Sequence, residues 1–186
     1  VQVLSVLEFG TITTKDIDSD GDLDIISTTT GKIFTNNGSG VFTQLTGTFF
    51  TATGSVSNVI VEDFNGDNKL DLLMLNGLTD TTNTNQLWIN SGTTGNPSFT
   101  LKSEFVNTGI YTNTGAVAGD IDNDGDKDFI ICGVGGFSGK VFKNDGNGNF
   151  TISQDLNTYT GNGFLKDWDN DGDLDFIAYD FYNNWG

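Results

Sequence analysis

The sequence predicts an all-β protein built from a repeated unit, and three observations support this prediction. Its 186 residues include 25 glycines and one proline among many threonines, asparagines and serines, which is typical of short strands joined by tight turns. Hydrophobic residues make up 35% of the chain and aromatic residues 12%, as in globular proteins with a packed core. An acidic nine-residue segment also recurs four times without gaps.

The four acidic segments define the repeat, and we number them loops 1 to 4. They read DIDSDGDLD at 16–24, DFNGDNKLD at 63–71, DIDNDGDKD at 120–128 and DWDNDGDLD at 167–175. Their first residues lie 47, 57 and 47 positions apart. A period of about 40 to 50 residues with strands inside it is typical of β-propeller blades.

Each predicted blade is a four-stranded antiparallel sheet. A short extended run enters the loop, and an apolar run such as LLML or FIIC leaves it. A third strand such as KIFTNN or KVFKND is followed by a glycine-rich turn and a fourth strand around Phe42, Phe99 or Phe150. Recurring apolar residues predict packing between neighbouring sheets rather than a ligand platform. They are Ile17, Phe64, Ile121 and Trp168 in the loops and Phe34, Trp88 and Phe142 on the third strands.

These elements predict about three complete blades with partial blades at both ends. The predicted bounds are 8–46, 55–102 and 113–153 for the blades, 161–186 for a partial blade and 1–7 for the last strand of a preceding blade. Closed propellers have about 4 to 8 blades, so the chain is expected to be part of a larger propeller. We favour remaining blades in a longer parent chain over open edges that pair with another subunit.

The charge of the chain is a property of the loops. The formal net charge is −17, and 18 of the 25 acidic residues lie in the loops, whereas seven acidic residues and six of the eight lysines lie outside them. The chain has no arginine, so nucleic acid is not expected as a partner. No stretch approaches the roughly 20 apolar residues of a membrane span, so membrane insertion is not expected. The single cysteine, Cys132, lies in the apolar run FIIC and is predicted to be buried.

The spacing of the acidic residues predicts four calcium sites. Calcium takes six to eight oxygen ligands at about 2.3–2.6 Å, and carboxylates two residues apart on a turning backbone can converge on one ion. The expected side-chain ligands are position 1 (Asp16, Asp63, Asp120, Asp167), position 3 (Asp18, Asn65, Asp122, Asp169), position 5 (Asp20, Asp67, Asp124, Asp171) and position 9 (Asp24, Asp71, Asp128, Asp175).

Two further loop positions have predicted roles of their own. Position 7 is expected to offer its main-chain carbonyl to the metal while its side chain faces solvent; this position is Asp22, Lys69, Asp126 or Asp173. Position 6 reverses the chain and is expected to take a positive φ; it is Gly21, Asn68, Gly125 or Gly172. Loop 2 is expected to bind calcium most weakly, because Asn65 and Lys69 reduce its negative charge.

Other interpretations of the loops fit less well. An EF-hand needs a glutamate at its twelfth position and a helix on each side. The residues at that position here are Ser27, Met74, Ile131 and Ala178. Transition metals are disfavoured because the chain has no histidine and its cysteine lies outside the loops. If the loops were acidic turns without a metal, the carboxylates within each of the four loops would repel one another with no cation to offset the repulsion.

The same residues resemble the FG-GAP/VCBS repeats of integrin α-subunit β-propellers and of many bacterial surface and secreted proteins. The resemblance rests on the DxDxDGxxD loops, the entering strand in AVAGDIDNDGD, the hairpin KVFKNDGNGNF and the Phe9-Gly10 pair. It implies calcium between the first two strands of a blade, held by positions 1, 3, 5 and 9 and the carbonyl of position 7. It also implies an extracellular or cell-surface setting, where millimolar calcium can fill sites of modest affinity.

The sequence therefore predicts a non-catalytic extracellular calcium-binding module for adhesion to a protein or glycan ligand. One alternative is the propeller part of a secreted polysaccharide lyase or hydrolase. The acids outside the loops, among them Glu62 and Glu104, form no recurring constellation, so no enzyme activity is expected. The other alternative is a lectin that binds glycans through the aromatic residues Tyr111, Tyr159, Tyr182 or Trp185.

Overall fold

The computed structural model describes residues 12–27, 32–45, 56–76, 84–106, 115–133, 138–157 and 161–179. These ranges contain fourteen β-strands and no helix, which confirms the all-β prediction. The same ranges therefore offer no helix that could cross a membrane. The predicted strand at 1–7, the Phe9-Gly10 pair and the aromatic residues Tyr111, Tyr159, Tyr182 and Trp185 lie outside the described residues.

The strands form three four-stranded sheets and one two-stranded sheet, each antiparallel and in chain order. Sheet 1 contains β1 (Ile12–Lys15), β2 (Asp24–Ser27), β3 (Ile33–Asn36) and β4 (Phe42–Gln44). Sheet 2 contains β5 (Val56–Glu62), β6 (Asp71–Asn76), β7 (Thr84–Asn90) and β8 (Phe99–Val106). Sheet 3 contains β9 (Ala116–Gly119), β10 (Asp128–Ile131), β11 (Lys140–Asn144) and β12 (Phe150–Asp155). Sheet 4 contains β13 (Asn162–Lys166) and β14 (Asp175–Tyr179).

This arrangement is that of β-propeller blades in an open array. The four-stranded antiparallel sheet predicted for each complete blade is present three times among the described residues. β8 and β12 end at Val106 and Asp155, which lie beyond the predicted blade ends at 102 and 153.

Each acidic loop connects the first and second strands of its sheet. The residue before the loop pairs across the sheet with position 9, as Lys15 with Asp24, Glu62 with Asp71, Gly119 with Asp128 and Lys166 with Asp175. Position 9 is therefore both the last residue of the loop and the first residue of the second strand.

Sheets 1, 2 and 3 pack on one another in chain order through two apolar clusters. Ile17, Ile26 and Ile33 of sheet 1 contact a cluster of sheet 2 that includes Leu72 and Trp88. The opposite side of sheet 2 meets sheet 3 in a cluster formed by Ile60, Phe64, Leu73, Leu75 and Leu87 with Phe129, Ile131 and Phe142. The prediction that the recurring apolar residues pack between sheets is confirmed for Ile17, Phe64, Trp88 and Phe142.

The packing prediction is wrong for Trp168, whose side chain is 50% exposed. Phe64 occupies the same loop position in sheet 2 and is buried, because sheet 3 covers it. No sheet covers Trp168 among the described residues. The predicted burial of Cys132 is confirmed, with none of its surface exposed.

Candidate metal loops

The position 1 carboxylate shapes each loop by accepting main-chain hydrogen bonds. In loop 1, Asp16 Oδ1 accepts from the N–H of Asp20 at 3.0 Å and Asp16 Oδ2 accepts from the N–H of Gly21 at 3.0 Å. Asp120 makes the same two bonds in loop 3, and Asp167 makes them in loop 4. The carboxylate is thus held inside a tight turn before any metal binds.

Two residues in every loop take a left-handed backbone conformation. Position 6 has a positive φ in all four loops, including 65° at Asn68, which confirms the predicted reversal. Position 4 also has a positive φ, which was not predicted; it is Ser19, Gly66, Asn123 and Asn170, with φ values of 59° to 73°. The sequence does carry a signal there, because glycine and asparagine tolerate this conformation best and occupy three of the four positions.

The position 9 aspartate joins the loop to the rest of its sheet. Asp71 is fully buried, and its Oδ2 accepts from the N–H of Phe64 at 3.0 Å while its Oδ1 accepts from the N–H of Asn90 at 2.8 Å. Asp24 and Asp128 make the equivalent pairs of bonds in sheets 1 and 3. Position 9 therefore has a structural role in addition to its predicted role as a ligand.

Positions 1, 3 and 9 bring three carboxylates together in loops 1, 3 and 4. One oxygen from each residue lies within 4.8 Å of the other two; the groups are Asp16, Asp18 and Asp24, then Asp120, Asp122 and Asp128, then Asp167, Asp169 and Asp175. All these donors are hard carboxylate oxygens, which suit calcium or magnesium better than a transition metal.

Position 5 lies outside these three-carboxylate groups. Its side chain accepts a hydrogen bond from the N–H of position 7 in every loop, at 3.0 Å in loops 1, 2 and 3 and 2.9 Å in loop 4. One carboxylate oxygen of position 5 therefore closes the turn.

The position 7 side chain does not face solvent freely in loops 1 and 3, contrary to the prediction. Asp22 and Asp126 are half-buried. Their carboxylates lie beside the hairpin glycines Gly38 and Gly146. A Cβ atom added to either glycine would lie 2.5 Å from Oδ2 of the adjacent aspartate. In loop 4, the Asp173 carboxylate accepts a hydrogen bond from the side chain of Asn123 in loop 3.

Burial and mutual repulsion raise the pKa values of the inner carboxylates. Burial, followed by the neighbouring charges of Asp24 and Asp20, raises the pKa of Asp18 to about 6. Burial also raises the pKa of Asp71 to about 6, although two main-chain N–H groups oppose the shift. A bound cation would oppose both effects, because it attracts the charged form of each carboxylate.

Loop 3 contains a basic neighbour that no other loop has at the same place among the described residues. Lys143 Nζ lies 2.6 Å from Asp122 Oδ2, and this hydrogen bond lowers the pKa of Asp122. The corresponding residues of sheets 1 and 2 are Thr35 and Ile89. A metal in loop 3 would therefore compete with a lysine for one carboxylate oxygen.

Loop 2 keeps the backbone of the other loops and changes their charge. Asp63 accepts from four main-chain N–H groups, those of Asn65, Gly66, Asp67 and Asn68. Position 3 offers an amide oxygen from Asn65, which itself accepts from the N–H of Asp67 at 3.1 Å. The loop is therefore preorganised although it has fewer carboxylates.

Lys69 lines a polar cleft of about 210 Å³ between loop 1, loop 2 and the turn that joins β7 to β8. Asp18, Asp67 and Thr93 line the same cleft. The lysine thus places a positive charge between two candidate metal loops.

Replacing Lys69 by aspartate is expected to tighten calcium binding at loop 2 by roughly 5- to 10-fold, because two units of negative charge are added near the ion. Calorimetric titration with calcium measures this change as a shift in the dissociation constant of the weakest binding step. Lys102→Asp is the matched control, since it makes the same charge change on β8 of the same sheet. Equal tightening in both variants would assign the effect to net charge rather than to the loop.

An asparagine ends each third strand among the described residues, and its role was not predicted from the sequence. Asn90 and Asn144 are buried, and each donates from Nδ2 to a loop carbonyl of the preceding sheet. The bonds run from Asn90 to Ile17 O at 3.1 Å and from Asn144 to Phe64 O at 2.9 Å. Each of these loops is therefore supported by the sheet that follows it.

Comparison with known families agrees with this geometry. Residues 16–74 match the model of a family described as the FG-GAP-like repeat. The matched segment begins at the first residue of loop 1 and includes all of loop 2. A search of curated proteins gives no significant match.

Proposed function

Because residues 16–74 match the FG-GAP-like repeat family, we propose that this chain is a non-catalytic module whose loops bind calcium and whose blades present a binding surface. One observation carries the proposal. In loops 1, 3 and 4, three carboxylate oxygens lie within 4.8 Å of one another on turns already formed by main-chain hydrogen bonds. Such an arrangement concentrates negative charge at one point, and calcium is the oxygen-seeking cation that fits it.

The proposed ligands follow from the donor atoms in each loop. Positions 1, 3 and 9 would supply the carboxylates in loops 1, 3 and 4, and position 5 would add its remaining oxygen. Position 7 would contribute its main-chain carbonyl. Loop 2 would use the amide oxygen of Asn65 in place of a carboxylate and would bind more weakly. When bound, calcium supplies positive charge that offsets the repulsion among these groups and fixes the loop to the sheet edge.

The proposed setting is extracellular or at a cell surface, with a protein or glycan as the ligand. Extracellular modules bind calcium with dissociation constants on the order of 10⁻⁴–10⁻³ M, and sites built on short exposed loops suit that range. A structural role for the metal also supports a non-catalytic module, because the clustered carboxylates would be occupied in holding the ion. Glu62 pairs with Lys15 and Glu104 accepts from Gln86, so neither acid stands alone as a catalytic candidate.

Calorimetric titration of the chelator-treated chain with calcium tests this proposal. We expect three sites with dissociation constants on the order of 10⁻⁴–10⁻³ M and a fourth, weaker site. Asp169→Ala should remove one site and leave the others, because position 3 has few structural hydrogen bonds. Glu104→Ala is the matched control, since it removes an acid outside the loops. The proposal fails if millimolar calcium produces no saturable binding, or if both variants lose the same fraction of it.

A further inference from the structure

Asn90 forms a bridge between loop 1 and loop 2. Its main-chain N–H donates to Asp71 Oδ1 at 2.8 Å, and Asp71 is position 9 of loop 2. Its side-chain Nδ2 donates to the carbonyl of Ile17 at 3.1 Å, and Ile17 lies between the position 1 and position 3 aspartates of loop 1. Asn90 therefore contacts a proposed ligand of one loop and the backbone between two proposed ligands of the other.

Asn144 forms the same bridge between loop 2 and loop 3. Its main-chain N–H donates to Asp128 Oδ1 at 2.8 Å, and Asp128 belongs to the three-carboxylate group of loop 3. Its Nδ2 donates to Phe64 O in loop 2 at 2.9 Å and to Lys127 O in loop 3 at 3.1 Å. The two asparagines therefore connect loops 1, 2 and 3 in series.

The turn that follows Asn90 makes a second contact with loop 1. Asn90 Oδ1 accepts from the N–H groups of Gly92 and Ser98, both at 3.1 Å, and so holds the two ends of the turn. Within the turn, Gly95 N donates to Asp18 O at 2.9 Å. Asp18 is position 3 of loop 1 and follows Ile17, so sheet 2 supports the backbone of loop 1 at two consecutive residues.

Phe64 joins the two bridges into one chain of hydrogen bonds. Its N–H donates to Asp71 Oδ2 at 3.0 Å, and its carbonyl accepts from Asn144. Asp71 is fully buried, and its other oxygen accepts from Asn90. The chain thus passes from loop 1 to loop 3 through buried groups, where hydrogen bonds are stronger than in water. A shift of the Asp71 carboxylate therefore disturbs groups that support both neighbouring loops.

We propose that Asn90 and Asn144 are positioning residues that couple the loops, so that calcium in one loop favours calcium in its neighbour. This inference rests on the proposed function, because it requires the loops to bind calcium. Once a position 9 carboxylate holds a metal, its motion and that of the asparagine bonded to it are restricted. The neighbouring loop then loses less conformational freedom when it binds its own ion. Coupling is reciprocal, so loops 1 and 3 each respond to the state of loop 2.

Asn65→Ala tests the coupling without changing the charge of the chain. It removes the position 3 oxygen of loop 2 and should weaken calcium binding there by about tenfold or more. Calcium titration of the isotope-labelled chain by NMR follows each loop through its own position 6 amide. We expect the dissociation constants of loops 1 and 3 to rise by about five- to tenfold. Measurements in about 150 mM NaCl screen repulsion between ions in neighbouring loops. Asn147→Ala is the matched control; it changes an exposed asparagine outside the loops and should leave all four constants unchanged.

A double-mutant comparison assigns the coupling to the asparagine. Asn90→Ala should itself weaken loop 1, and adding Asn65→Ala should then weaken loop 3 without further effect on loop 1. If circular dichroism shows that Asn90→Ala does not fold, Asn144→Ala takes its place, with the roles of loops 1 and 3 exchanged. A full effect of Asn65→Ala on loop 1 in the Asn90→Ala background overturns the inference. Unchanged constants at loops 1 and 3 in Asn65→Ala alone also overturn it and leave the proposed function intact, whereas the absence of calcium-dependent shifts in every loop overturns both.

Discussion

Replacing Asp71 by alanine is expected to lower the free energy of unfolding by about 3–5 kcal/mol, with or without calcium. The Asp71 side chain is fully buried and accepts two main-chain hydrogen bonds, from Phe64 and Asn90. Alanine would leave both N–H groups buried without an acceptor. The melting temperature should fall by about 10 °C, as measured by calorimetry in calcium and again in chelator.

Asp67→Ala is the matched control for this prediction, because it removes an exposed carboxylate from the same loop. It should weaken calcium binding and change stability little once calcium is removed. Asp71→Asn should fall between the two, since the amide keeps one acceptor oxygen and loses the other. Equal melting temperatures for the Asp71→Ala and Asp67→Ala variants in chelator would contradict a structural role for position 9.

The loops were the most predictable part of this molecule. Their conformation depends on residue types within nine positions of one another. The positive φ at Asn68 could therefore be predicted from its place at position 6 of the loop and from the tolerance of asparagine for that conformation. The positive φ at Ser19 was missed because serine seldom adopts it, and only comparison with Gly66 and Asn123 reveals the shared requirement. The side-chain position of Asp22 was also missed, since it depends on Gly38 in a distant hairpin turn.

Contacts between sheets were less predictable than the sheets themselves. Recurrence in the sequence showed that Phe64 and Trp168 occupy equivalent loop positions. It could not show that, within the described part of the chain, a neighbouring sheet covers Phe64 and none covers Trp168. The third-strand asparagines recur visibly in the sequence, at Asn36, Asn90 and Asn144. Their acceptors lie 73 and 80 residues away, and periodicity does not indicate which carbonyl a side chain reaches.

Replacing Asn144 by alanine is expected to lower the free energy of unfolding by about 2–4 kcal/mol. Its Nδ2 donates to Phe64 O at 2.9 Å and Lys127 O at 3.1 Å, and its Oδ1 accepts from Gly148 N at 2.9 Å. Alanine removes all three bonds from a side chain that is only 6% exposed. Urea unfolding measures the loss, and an unchanged slope against urea concentration would show that the effect is on stability.

Two further variants separate the inter-sheet bond from the turn. Asn147→Ala lies in the same turn, is exposed and should change the unfolding free energy by no more than about 0.5 kcal/mol. Asn144→Asp keeps the acceptor for Gly148 and places a carboxylate against the carbonyls of Phe64 and Lys127. It should therefore be at least as destabilising as Asn144→Ala. If Asn144→Asp were instead close to the original chain in stability, the bond to the turn at Gly148 would account for the stability that Asn144 provides, and the bond between sheets would not. Because Phe64 belongs to loop 2, the inter-sheet bond also predicts weaker calcium binding at that loop in both Asn144 variants.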